Sequence, residues 1–151
     1  MRYPFRKSTR IPDFDYSSAN YYFITICTQY KRCLFGTIKE QNQYGKIASD
    51  MLMNIEQHFS GIHVDKYVIM PNHVHLILVI KNSQIPTNLN TVIGLYKSGV
   101  SREIHKIKPG LEVWQRSFHD HVIRNQRDYE MIWSYIDTNP LRWEMDRFYT
   151  V

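Results

Sequence analysis

The stretch from Ile62 to Ile80 leaves this chain few ways to fold. Ile62–Met70 and His73–Ile80 are two extended runs, and Pro71-Asn72 stands between them. Proline cannot donate to a strand ladder and asparagine favours turn geometry, so the pattern predicts a β-hairpin turning at Pro71-Asn72. The second run is apolar without a break from Leu76 to Ile80, which fits a buried strand.

The remaining elements arrange themselves around that hairpin. Residues Tyr21 to Thr28 are β-branched and aromatic and predict a strand, preceded by a turn-like stretch from Asp15 to Asn20. A second short strand is expected near Cys33 to Ile38. From Gly45 to Phe59, the positions Ile47, Met51, Leu52, Ile55 and Phe59 recur at helical spacing. After a polar loop from Pro86 to Asn90, Leu89, Val92, Ile93, Tyr96, Val100 and Ile104 mark a second helix. Pro109-Gly110 reads as a turn, and Val113 to Ile123 as a further strand. Asn125 can cap a third helix running through Asn139, with Ile132, Tyr135 and Ile136 on one stripe. Pro140 disfavours helical geometry at Asn139, so a break or kink is expected there. The resulting β-α-β-β-α-β order predicts an α+β fold: a ferredoxin-like antiparallel sheet with an added C-terminal helix. That architecture hosts many functions and decides none.

No repeat or linker divides the 151 residues, so residues 1–151 are read as one domain. No apolar run reaches the length of a membrane span, and the basic N-terminus, Met1 to Lys7, lacks the apolar segment of a secretory signal. The expectation is a cytoplasmic protein with no membrane partner. Cys27 and Cys33 form no C-x-x-C spacing and are too few for a disulfide scaffold, so Cys27 reads as a small core residue. The formal charge of +5 favours an anionic partner. Eleven tyrosines among basic residues offer faces on which single-stranded nucleic acid can stack, although for any one of them the core is the better explanation.

Three patterns can carry chemistry. In His73-Val74-His75 the two imidazoles share one face of a strand and can hold a divalent cation between them. His119-Asp120-His121 offers the same spacing, with Asp120 on the opposite face, and pattern alone does not rank the two pairs. Tyr135 and Asn139 lie four apart on the third helix, one above the other. A tyrosine hydroxyl is a weak nucleophile at neutral pH, and a metal polarising a phosphate would offset that handicap; Asn139 can offer the metal a carbonyl oxygen. Together these features describe a device for phosphodiester transesterification. No glycine-rich phosphate loop and no serine or cysteine triad is present.

The string Val68-Ile69-Met70-Pro71-Asn72-His73-Val74-His75 resembles the HUH signature of single-tyrosine transposases, and more closely that of the REP-associated tyrosine transposases. The likeness extends over almost the whole chain. It takes in Asp15-Tyr16-Ser17, Tyr22 to Thr28, Leu34-Phe35-Gly36, Tyr96-Lys97-Ser98, Trp114 to Asn125 and Tyr135 to Pro140.

The resemblance implies that His73 and His75 form the metal pair, that Tyr135 is the nucleophile, and that Asn139 stands where insertion-sequence relatives carry a glutamine ligand. It implies Mg²⁺ or Mn²⁺ as cofactor. The implied substrate is single-stranded DNA beside a palindromic hairpin, nicked and rejoined through a 5′-phosphotyrosine. Lys97, Arg102, Lys106, Arg116, His119, His121 and Arg124 are candidate DNA contacts. Insertion-sequence relatives act as dimers with the tyrosine in trans, and REP-associated members are often monomers, so monomer and homodimer both stay open. The alternatives are a replication initiator or relaxase sharing the chemistry, and a non-catalytic, domesticated transposase that binds DNA hairpins.

Overall fold

A computed structural model describes residues 20–81 and 88–150. The turn expected over 15–19 and the first residues of the loop at 86–87 lie outside these. Strand β1 spans Asn20–Cys27, helix α1 Gln43–His58, β2 Ile62–Met70, β3 His73–Ile80, α2 Leu89–His105, β4 His119–Ile123 and α3 Gln126–Thr138. A 3-10 segment, Asn139–Met145, follows α3 directly. The four strands form one sheet in the order β2-β3-β1-β4, and every neighbouring pair is antiparallel. This is the ferredoxin-like arrangement with the expected extra helix.

Alternation along the strands sorts the side chains onto two faces. Tyr22, Ile24 and Ile26 of β1 and Val74, Leu76, Leu78 and Ile80 of β3 turn one way, into a core closed by α1 and α2. The helices meet them with Ala48, Leu52 and Ile55, and with Val92, Ile93, Tyr96 and Val100. Phe23, Ile77 and Ile123 turn the other way and pack under Ile132, Tyr135 and Ile136 of α3. Leu76 to Ile80 is therefore apolar throughout because β3 is covered on both faces.

Asparagines punctuate all three helices. The side chains of Asn42, Asn88 and Asn125 accept from Gly45, Asn90 and Asp128 N–H groups, which start α1, α2 and α3. The helix carrying Tyr135 ends at Thr138, where Pro140 in the first 3-10 turn forbids continuation.

Two expectations fail. No strand forms at 33–38; that segment is a turn held by Phe35 N–H donating to Pro71 O, with Gly36 at φ 106. A left-handed residue interrupts extended backbone, and the run pairs through a single bridge between Gly36 and Gln41. The last strand begins at His119 rather than Val113. Ser117 at φ 69 breaks it, and Trp114 instead bridges Thr28 beyond the end of β1.

Candidate active site

The site lies at the turn end of the hairpin, on the sheet face that α3 covers. His73 and His75 are both fully buried, and their Nε2 atoms approach to 3.1 Å. Each ring is held from behind. Thr25 Oγ1 lies 2.9 Å from His75 Nδ1, from the paired position on β1. Asn72 Oδ1 lies 2.7 Å from His73 Nδ1. The orientation of the Asn72 amide is fixed, because its Nδ2 donates to Phe148 O and Lys31 O. Its oxygen must therefore face His73, whose Nδ1 must donate; the Nε2 lone pair of His73 then points into the site.

Burial lowers the pKa of His73 to about 4, against the opposing pull of Asp146 and Asn139. Burial, then the neighbouring His73 and His119, hold His75 well below the ordinary histidine value. Both rings are neutral at pH 7, the form a metal ligand requires.

Asp146, which sequence reasoning did not single out, completes the cluster. It stands beyond the 3-10 segment, 8% exposed, and ligand atoms of His73, His75 and Asp146 all lie within 4.8 Å of one another. Its Oδ2 accepts from Asn139 Nδ2 at 2.7 Å and its Oδ1 from Phe148 N–H at 2.8 Å. Asn139 is 1% exposed, and its Oδ1 finds no hydrogen-bond partner among the described residues. An orphaned buried carbonyl oxygen beside two neutral imidazoles and a carboxylate is a set of electron-pair donors facing one another, which a divalent cation would satisfy. The residues fit the ion that the resemblance implies, with Asp146 and Asn139 beside the histidine pair.

Tyr135 is 5% exposed and packs its ring at 5.4 Å from His75, and Phe23 completes a triangle with them at 5.2 Å from His75 and 6.1 Å from Tyr135. The C-terminal segment closes the site: Phe148 packs against His73 at 4.6 Å with its ring tilted by 42°, and Trp143 lies 6.2 Å from His73.

The second H-x-H pair shares this face. His119 pairs across the ladder with Thr25, itself opposite His75, and His121 pairs with Phe23. His121 Nε2 is bonded to Asp128 Oδ2 at 2.8 Å. Among the described residues it joins no metal cluster. The other candidate contacts are scattered. Lys97 donates to Gln115 O and Ser117 O, both at 2.8 Å, and so staples the approach to β4. Arg102 and Lys106 lie at the end of α2, in the layer on the opposite sheet face, near Glu103. Arg116 and Arg124 are exposed at either end of β4.

The family described as "Transposase IS200 like" matches residues 16–139. The chain belongs to the IS200-like transposase family. The match contains His73, His75, Tyr135 and Asn139 and stops short of Asp146. Another relative of this IS200-like chain is an uncharacterised protein of Haemophilus influenzae, 34% identical over 167 residues, covering 95% of this chain and 93% of that one. Among solved structures, a REP-associated tyrosine transposase bound to a REP hairpin aligns with a TM-score of 0.66 at 18% identity, over 93% of this chain and 74% of that one. A candidate transposase from Deinococcus radiodurans aligns with a TM-score of 0.56 at 17% identity, over 88% and 97%. At such identities these two establish a shared fold. No helix among the described residues is long and apolar enough to cross a membrane.

Proposed function

We propose that this IS200-like family member nicks and rejoins single-stranded DNA beside a hairpin, with Tyr135 as nucleophile and a 5′-phosphotyrosine as the covalent intermediate. The observation that carries the reading is the convergence of Tyr135 with His73, His75, Asn139 and Asp146 at one end of the sheet. The solved REP-associated relative, bound to its hairpin, supports the choice of substrate.

Bound Mg²⁺ or Mn²⁺ would supply a Lewis acid for the scissile phosphate. His73 and His75 would hold it as neutral donors, and Asn139 and Asp146 would complete the protein's share. The Tyr135 hydroxyl attacks phosphorus and gives up its proton. The bond from phosphorus to the 3′ oxygen breaks, and that oxygen leaves as a 3′ hydroxyl once it takes a proton. Rejoining is the reverse attack by another 3′ hydroxyl. Tyr135 lies beside the His75 of its own chain, which supports catalysis in cis. His119, opposite Thr25 on β4, and Arg116, just before that strand, lie at the site's end of the sheet and are the better placed of the candidate DNA contacts; Arg124 lies at the far end of β4, beyond the pair of Ile123 with Tyr21.

A second reading, a hairpin-binding protein without turnover, draws on the zero exposure of both imidazoles under Phe148. A covalent-adduct assay separates the two. Hairpin oligonucleotides with single-stranded flanks and Mn²⁺ should give a denaturation-resistant complex that Tyr135→Phe abolishes while hairpin binding persists. Tight binding with no adduct would favour the second reading.

A further inference from the structure

A helix lying on a sheet can slide or roll, and a nucleophile carried on it is only as well placed as the helix is held. The sheet-facing stripe of α3 runs Asp128, Ile132, Tyr135, Asn139, each a turn or so beyond the last. Beneath it three histidines descend the sheet in the same order. His121 sits opposite Phe23, His75 opposite Thr25 and His73 opposite Cys27. Asp128 meets His121, Tyr135 meets His75, and Asn139 reaches Asp146 beside His73. The seven residues from Asp128 to Tyr135 rise about 10 Å along the helix. Crossing two strand spacings and stepping down two residues from His121 to His75 covers roughly 12 Å. The two rulers match closely.

The start of α3 is gripped from both flanks. On the β4 side, Asp128 Oδ2 and His121 Nε2 are 2.8 Å apart, with side chains 17% and 33% exposed. On the β2 side, the Tyr129 hydroxyl donates to Asp65. Asp65 is the extra residue where the β2–β3 register shifts between Val64 and Lys66. Such a bulge re-aims a side chain that regular pleating would place elsewhere.

We propose that His121–Asp128 and Asp65–Tyr129 form a two-sided clamp that fixes the position of Tyr135 relative to the His73/His75 pair. This rests on the reading of that pair as metal ligands and Tyr135 as nucleophile. His121, Asp128, Asp65 and Tyr129 are positioning residues: none of them touches the reacting atoms. A misplacement near 1 Å can lower a rate about a hundredfold, so a clamp two turns away has leverage on the chemistry.

The test needs no DNA. The full chain is labelled with 3-fluorotyrosine, the Tyr135 ¹⁹F signal is assigned through Tyr135→Phe, and paramagnetic Mn²⁺ is added with Mg²⁺ as control. Mn²⁺ broadening falls with the inverse sixth power of distance, so it reads the position of Tyr135 directly. The wild type should show strong broadening of that signal. His121→Ala and Tyr129→Phe should each weaken it several-fold, and His121→Gln, which can still donate to Asp128, should restore it. Sharp, dispersed Tyr22 and Tyr96 signals in the Mg²⁺ control spectra would show that the core remains folded. Equal broadening of Tyr135 in all the proteins would overturn the clamp. If Mn²⁺ broadens no tyrosine in the wild type, the metal reading fails, and the clamp with it.

Discussion

Asn72 Oδ1 lies 2.7 Å from His73 Nδ1, and this contact decides which nitrogen of His73 faces the site. Because Asn72 also donates to Phe148 O at 2.6 Å, the amide joins the histidine tautomer to the seating of the C-terminal segment. Asn72→Ala should therefore weaken Mn²⁺ binding about 10–100-fold, as loss of a ligand's supporting partner does. Asn72→Asp keeps an acceptor for His73 and should retain more affinity than alanine. Calorimetric titration of the three proteins checks the order.

The two H-x-H pairs should behave differently toward metal. His73→Ala is expected to abolish the stoichiometric Mn²⁺ site. His121, engaged with Asp128, should be replaceable by alanine with the site's affinity unchanged. Electron paramagnetic resonance of bound and free Mn²⁺ measures both, and the opposite ranking would move the metal centre to β4.

Lys97 should prove a structural residue. Its ammonium donates to two carbonyls at 2.8 Å, and removing it leaves partly buried acceptors without that partner. Lys97→Met is expected to cost about 1–3 kcal/mol in urea unfolding. The salt dependence of DNA binding by the folded variant should match the wild type; a shallower slope would make Lys97 a phosphate contact after all.

Acid should destabilise the metal-free chain in a defined window. His73 has a pKa of about 4 when folded, below its ordinary 6.5, so between these values the unfolded chain binds more protons. The stability this group contributes is complete above pH 6.5 and is lost as pH falls towards 4. The shift corresponds to roughly 3 kcal/mol, with His75 acting in the same direction. Urea midpoints across this range should fall for the wild type and fall less for His73→Gln. Parallel profiles would contradict the assignment.

The parts of this molecule visible in the sequence are those written in local periodicity. The hairpin at Pro71-Asn72, the three helices and the Asn125 cap need only neighbouring residues to be read. The misread strands at 33–38 and 113–118 depend on backbone angles at Gly36 and Ser117, which composition does not announce. In the site, the histidines, Tyr135 and Asn139 follow from spacing and family likeness. Asp146 does not: it stands seventy-one residues from His75, after a proline-initiated 3-10 segment, with no pattern around it. Asn72 was visible as a turn former, but its grip on His73 depends on Lys31 and Phe148 arriving from distant parts of the chain.

The Phe148 ring over fully buried imidazoles also governs how fast anything can come and go. With that ring seated, neither imidazole has solvent-exposed surface, so an ion between His73 and His75 would come and go past the C-terminal segment. Its exchange then follows the lifetime of the closed C-terminal segment rather than the strength of its bonds. A chelator would strip such a protein slowly even where affinity is modest, and preparations made in different buffers would differ in metal content long after they shared one.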